Sequence, residues 1–88
     1  MKGLEIYYSR GFERSIKKID LRFRGLIRQR EALFKKDCFD SVLNTHKLHG
    51  KLKNFWSFSI NNKIRVVFEF LDKNKIAFVD IGDHSIYK

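Results

Sequence analysis

Two histidines and one arginine have the side chains best suited to acid–base chemistry on a bound anion. His46 lies in a basic segment, His84 lies near the carboxyl end, and Arg65 interrupts an apolar stretch. An imidazole exchanges protons near neutral pH, and a guanidinium binds phosphate oxygens through paired N–H groups. The competing interpretation is that the histidines are solvated and that Arg65 forms an ion pair across a sheet with Asp80 or Glu69.

Other kinds of reactive site are not predicted. The three histidines and the single Cys38 lack the spacing of metal ligands, so no metal or other cofactor is expected. Ser57 and Ser59 have no base at neighbouring strand positions, which argues against a serine nucleophile. A lone cysteine cannot form an internal disulfide, and this fits a reducing compartment.

The charge of the chain points to a polyanionic partner. Nineteen Lys and Arg against ten Asp and Glu give a net charge of +9. Such an excess favours binding to nucleic acid, a ribonucleoprotein surface or an acidic protein, although general solubility is the simpler explanation. No acid occurs from Ser41 to Phe68, which predicts a local basic patch. The cationic and imidazole side chains of this segment are His46, Lys47, His49, Lys51, Lys53, Lys63 and Arg65.

The length and hydropathy of the chain predict its domain number and its location. Eighty-eight residues predict one domain, 1–88, with no room for a second core. No apolar run approaches ~18 residues and no signal-peptide pattern is present, so we expect a cytoplasmic protein without a membrane partner.

The segment 55–70 predicts a β-hairpin that positions Arg65. Apolar and polar residues alternate on both sides of 61–63, as in half-buried strands. A three-residue loop at 61–63 sets Ser59 opposite Arg65, whereas a two-residue loop would bury the charge against an apolar partner. One face of the hairpin is therefore apolar, and the other carries Ser57, Ser59 and Arg65.

The flanking segments predict the remaining elements. Residues 4–8 alternate as a first strand, and Ser9 is suited to capping a short helix that extends to Ile19. Asp20 is suited to capping a second helix over 21–36, whose apolar residues form one stripe.

The carboxyl half predicts an irregular connection and a final strand. Residues 37–52 show no clean period, and a short helical turn is the most regular structure expected there. The apolar run 76–81 predicts a central strand. In the expected register Arg65 pairs with Gly82 on one face, and Phe68 pairs with Val79 on the other.

These elements predict an α+β domain of order β-α-α-β-β-β. Its single, mainly antiparallel four-stranded sheet has two N-terminal helices packed on one face. The second face stays partly open, as a surface for stacking bases or docking a peptide. The side chains expected on or around it are Phe55, Ser57, Ser59, Arg65, Val67, Phe78, Asp80 and His84.

The sequence resembles the RelE/ParE superfamily of bacterial toxins, and within it the RelE/StbE and YafQ-like branch. The segments that carry the resemblance are HKLHGKLKNFWSFSI from His46, IRVVFEF from Ile64 and VDIGDHSIYK at the carboxyl end. The resemblance covers nearly the whole chain and rests on the ordered combination rather than on one motif.

The resemblance implies a ribosome-dependent mRNA endoribonuclease, the toxin of a type II toxin–antitoxin system. Such enzymes act in the ribosomal A site without a metal. The ribose 2′-hydroxyl attacks the adjacent phosphate and leaves a 2′,3′-cyclic phosphate and a 5′-hydroxyl. A cognate antitoxin would neutralise the toxin, which is expected to be monomeric within a hetero-oligomer.

The resemblance also assigns roles to individual residues. His84 matches the C-terminal histidine that serves as general acid or base, and His46 matches a second histidine of the YafQ-like group. Arg65 matches the strand arginine that contacts the phosphate, and Tyr87 resembles the aromatic residue that closes the active site. Contacts to the RNA backbone would come from Lys47, His49, Lys51, Lys53 and Lys63.

Three positions depart from the pattern of the superfamily and keep two alternatives open. Ser57 and Ser59 stand where second-strand lysines are found, and Asp80 stands where YafQ-like toxins have an arginine. The missing lysines favour a ParE-like gyrase inhibitor that binds without cutting, whereas His84 and His46 argue against it. A non-catalytic RNA- or ribosome-binding module is the other alternative.

Overall fold

Alternating side chains build a five-stranded sheet in the computed structural model, which describes residues 3–83. The strands lie in the order β1-β5-β4-β3-β2. The regular elements are β1 (Glu5–Tyr8), α1 (Arg10–Ile16), α2 (Arg24–Lys36), β2 (His46–Lys47), β3 (Trp56–Ser59), β4 (Arg65–Phe70) and β5 (Lys75–Gly82). Among the described residues, no helix combines the length and the apolar character needed to cross a membrane.

The β3–β4 hairpin has the predicted register. Ser59 pairs with Arg65, and Trp56 pairs with Phe68. The Oδ1 atom of Asn61 accepts hydrogen bonds of 2.8 Å from the backbone N–H groups of Lys63 and Ile64. An asparagine that bonds backbone groups two and three residues ahead stabilises a tight turn, which explains the three-residue loop.

The core lies between the sheet and the two helices. Phe34 of α2 is fully buried, with its ring centroid 4.6 Å from that of Phe58 and 4.9 Å from that of Phe68. Aromatic rings at these distances gain energy beyond the area that they bury. The other buried members of this cluster are Phe12, Ile27, Leu43, Ile60, Ile64, Val66, Ile76, Phe78 and Ile81.

Side-chain caps begin the helical segments where the sequence predicts them. The Ser9 hydroxyl accepts from the Phe12 N–H at 3.0 Å and donates to the Val79 carbonyl at 2.7 Å, which holds the start of α1 against β5. Asp20 caps a 3₁₀ turn, Leu21–Phe23, that leads into α2. The second helix therefore starts three residues later than predicted.

The sheet differs from the prediction in strand number and direction. β1 pairs with β5 in parallel, and β2 adds a fifth strand that pairs with β3. β2 lies within 37–52, which was predicted to be irregular. A two-residue strand is too short to show an alternation, so its formation depends on the neighbouring strand.

A β-bulge shifts the pairing of β5 midway along the strand. Arg65 pairs with Gly82 as predicted, but Phe68 pairs with Phe78, so the predicted Phe68–Val79 pair is wrong. An extra residue in one strand reverses which side chains face the core beyond it. Phe78 consequently faces the helices, is 2% exposed and does not contribute to the second face of the sheet.

Candidate functional site

Arg65 lies at the start of β4 and points away from the helices. Its neighbour Val66 belongs to the core, and successive side chains of a strand point to opposite faces. Arg65 is half-buried, and its Nη1 donates to the carbonyls of Asn61 and Asn62, each at 3.4 Å. The turn thus orients the guanidinium, whose Nε and Nη2 have no hydrogen-bond partner among residues 3–83.

Asp80 does not neutralise Arg65. Its carboxylate accepts a 2.6 Å hydrogen bond from the hydroxyl of Ser15 in α1 and a 2.9 Å bond from the backbone N–H of Ile81. Within the described part of the chain, neither Asp80 nor Glu69 forms an ion pair with Arg65. Neither of these two acids therefore compensates the charge of the guanidinium.

His46 of β2 lies on the same face as Arg65. It pairs with Ser57, and Ser57 and Ser59 share one face of β3, because they are two residues apart. Two strand spacings and a two-residue offset place the Cα atoms of His46 and Arg65 about 12 Å apart. Both side chains are long enough to approach one phosphodiester group between them.

The hydrogen bond of His46 sets the role of its ring nitrogens. Nδ1 lies 2.9 Å from the carbonyl oxygen of Asn44. A carbonyl only accepts hydrogen bonds, so Nδ1 is the donor in this contact and Nε2 is the nitrogen left for a bound molecule. His46 is exposed, and its Nε2 can therefore accept a proton from a bound molecule.

The centre of this face is less accessible than predicted. Ser57 is 0% exposed and Val67 is 4% exposed, although both side chains lie opposite the face that α1 and α2 cover. Base stacking needs an accessible surface, so the middle of the sheet offers no platform for it. A ligand has access to the margins of the face, where His46 and Arg65 lie.

The predicted RNA-binding residues do not lie together on one surface. Lys47 pairs with Trp56 and therefore points to the face opposite His46. Lys51 lies before β3 and Lys63 lies after it, so they occupy opposite ends of that strand. Lys53 accompanies Lys51 in the β2–β3 connection, as does His49, and all five side chains are exposed.

His84 and Tyr87 lie outside the described residues. The last residue of β5 is Gly82, the cross-strand partner of Arg65. The roles of His84 and Tyr87 remain predictions from the sequence.

Sequence reasoning missed Arg30, which lines a cleft at the β3–β4 turn. Its Nε donates to the carbonyl of Ile60 at 3.2 Å. The cleft has a volume of about 340 Å³ and is lined by Arg30, Val42, Asn44, Ser59, Ile60, Asn61, Asn62 and Arg65. The sequence did contain a signal for this placement. Arg30 occurs three residues after Ile27 and four before Phe34, and this helical spacing places it on the buried stripe of α2.

Metal ligands are not grouped in this part of the molecule. Within residues 3–83, no three His, Cys, Asp or Glu side chains are arranged to hold a metal ion. Cys38 is half-buried, and burial, with a smaller effect of Asp37, raises the pKa of its thiol. A raised pKa disfavours the reactive thiolate, so Cys38 is not suited to act as a nucleophile.

Comparison with known proteins identifies the fold. No protein-family model and no curated protein matches the chain. Among solved structures, YafQ from E. coli has a TM-score of 0.78 at 17% identity, covering 94% of this chain and 96% of that chain.

Two further structures share the same architecture. The E. coli DinJ–YafQ toxin–antitoxin complex has a TM-score of 0.75 at 18% identity and covers 94% of each chain. A YoeB/ParE toxin from Agrobacterium tumefaciens has a TM-score of 0.75 at 15% identity, covering 92% of this chain and 99% of that one. The chain therefore shares the fold of the YafQ and YoeB/ParE toxins, the kind of fold that the resemblance implied.

Proposed function

We propose that this chain, a single domain with the fold of the RelE/ParE toxins, is the toxin of a type II toxin–antitoxin system and an mRNA endoribonuclease. The observation that carries the proposal is the placement of Arg65 and His46 on one sheet face. Neither Asp80 nor Glu69 pairs with Arg65, and His46 is exposed with its Nδ1 bound to the Asn44 carbonyl, which leaves Nε2 for a ligand. A cation and a proton acceptor on one surface are the groups that phosphodiester transfer requires.

The reaction breaks one phosphorus–oxygen bond and forms another. The 2′-oxygen attacks the adjacent phosphorus, while a histidine takes the proton of the 2′-hydroxyl. Arg65 stabilises the added charge on the phosphate oxygens through N–H donors that the turn has already oriented. The 5′-oxygen leaves and receives a proton, which gives a 2′,3′-cyclic phosphate and a 5′-hydroxyl.

The proton transfers are divided between the histidines. His84 acts as general acid or base, as the resemblance implies, and His46 assists through Nε2. Tyr87 closes the site on the base or sugar. Exposed cations at both ends of β3 bind the RNA backbone at low sequence specificity. They are Lys51, Lys53 and Lys63, with His49 beside the first two.

The partners follow from the same proposal. The substrate is mRNA in the A site of cytoplasmic ribosomes, and the inhibitor is a cognate antitoxin whose acidic residues meet the basic patch. DinJ occupies the antitoxin role in the complex with YafQ. We propose that this toxin is monomeric before it enters a hetero-oligomer with its antitoxin.

Primer extension on mRNA with translating ribosomes tests the proposal. Wild-type protein is expected to produce ribosome-dependent cuts, and His84→Ala protein, folded by circular dichroism, is expected to produce none. Intact mRNA together with poisoned DNA gyrase would instead identify a ParE-like inhibitor, which the serines at positions 57 and 59 favour. RNA binding without either activity would identify a non-catalytic module.

A further inference from the structure

The cleft beside Arg65 contains a second guanidinium from another element of the fold. Arg30 reaches it from the middle of α2, and Arg65 reaches it from the start of β4. They donate to the carbonyls of consecutive residues, Ile60 at 3.2 Å and Asn61 at 3.4 Å. Carbonyl groups of consecutive residues are close, so the two donating nitrogens are at most about 11 Å apart.

The lining of the cleft leaves these two charges uncompensated. Its eight residues include two arginines, three asparagines and one serine, and none of them is acidic. Arg30 uses only Nε in the described structure, so its two Nη groups have no hydrogen-bond partner among residues 3–83. Two half-buried like charges repel each other, and a bound anion relieves that repulsion.

We propose that the Arg30–Arg65 cleft is a phosphate-binding subsite for an RNA strand, and that Arg30 is a substrate-binding residue. The inference deepens the proposed nuclease function, in which Arg65 holds the phosphate that reacts. Arg30 binds through its planar pair of Nη groups, which match two phosphate oxygens. The strand enters the reactive face from the side of the β3–β4 turn.

The size and polarity of the cleft favour a nucleotide over an acidic side chain. A volume of about 340 Å³ is much larger than a carboxylate needs and lies within the range of small-molecule sites. The amides of Asn44 and Asn62 and the hydroxyl of Ser59 both donate and accept, as hydrogen bonding to sugar and base edges requires. The carboxylate of an acidic side chain only accepts hydrogen bonds, so it would leave the acceptor groups of the cleft unused.

A 2′-O-methyl RNA oligonucleotide is the probe of choice, because its blocked 2′-oxygen prevents cleavage during the measurement. Fluorescence anisotropy compares wild type with Arg30→Gln and with the matched control Arg28→Gln. Arg28 is exposed on the same helix, so both variants lose one charge from α2. Arg30→Gln should raise the Kd about tenfold, the loss expected for one charge-assisted contact. Its salt slope should fall by about one, and Arg28→Gln should shift the Kd by about twofold or less.

Arginine Nε–Hε resonances in wild-type protein provide a readout that does not depend on how the variant folds. Titration with inorganic phosphate should shift the Arg30 and Arg65 signals together and leave the Arg28 signal in place. A polyglutamate peptide that shifts these signals where phosphate and RNA do not would overturn the proposal in favour of an acidic protein partner.

The inference and the proposed function fail in different ways. If wild type cuts mRNA but Arg30→Gln binds RNA like Arg28→Gln, the cleft is not a phosphate subsite and the nuclease function is retained. If Arg30→Gln weakens RNA binding but wild type never cuts mRNA, the subsite is retained and the nuclease function is wrong.

Discussion

The carboxylate of Asp80 is bound to the hydroxyl of Ser15, 2.6 Å away across the junction of β5 and α1. By the sequence resemblance, Asp80 stands where YafQ-like toxins have an arginine, and the contact with Ser15 uses this carboxylate. Asp80 therefore anchors a helix and does not form an ion pair with Arg65.

Replacement of Arg65 should separate activity from stability. Arg65→Ala is expected to lower ribosome-dependent cleavage about 10²-fold, because a preorganised donor to the reacting phosphate is lost. The melting temperature should change little, since the side chain makes only two 3.4 Å hydrogen bonds to turn carbonyls. Lys73→Ala, an exposed change in the β4–β5 turn, is the control for lost charge. An insoluble or strongly destabilised Arg65→Ala protein would show that Arg65 has a structural role.

Replacement of His46 should change the chemical step rather than folding. His46→Ala is expected to lower the single-turnover cleavage rate at pH 7 about 10²-fold, the usual contribution of a positioned proton acceptor. The side chain is exposed, so thermal unfolding should be unaffected. His49→Ala is the matched variant from the same basic segment, and it should weaken RNA binding without altering the pH dependence of the rate. Equal effects of both changes on the rate at saturating RNA would contradict the assignment of Nε2.

Stability should depend on Phe34 more than on Trp56. Phe34 is 0% exposed and contacts three other phenylalanines, so Phe34→Ala should cost ~3–5 kcal/mol in the free energy of unfolding. Trp56 is only half-buried, and Trp56→Ala should cost about 1–2 kcal/mol. Urea titration measures both values. Phe39→Ala, at a side chain 56% exposed, serves as the control, and a larger loss there than at Phe34 would contradict this core.

The thiol of Cys38 should react slowly in the folded protein. Burial, with a contribution from Asp37, raises its pKa, so the folded state holds less thiolate at pH 8 than the unfolded chain does. Only the thiolate is nucleophilic, and alkylation by iodoacetamide should therefore be slower in buffer than in urea. The rate of the folded protein should continue to rise at a pH where that of the unfolded chain has levelled off. Equal rates under both conditions would show that the thiol is not shielded.

Local patterns were sufficient for part of the fold and of the site. The period-2 alternation of 55–70 favours a register that keeps the charge of Arg65 off the core, and that register was found. Ser9 capped its helix as predicted, because capping depends on residues a few positions apart. The bulge at Val79 was not predicted. In the apolar run 76–81, Phe78 and Val79 are both suited to the core, so the sequence does not show which of them faces it.

The sequence by itself determined the hairpin, the helix caps and the exposure of Arg65 to the face away from the helices, because each depends on neighbours along the chain. Only the tertiary structure decided that Asp80 binds Ser15, that His46 joins the sheet opposite Ser57, and that Arg30 lines the same cleft as Arg65. These placements bring together residues distant in sequence. Their formation is governed by how helices and strands pack, and the local pattern at each residue is compatible with several partners.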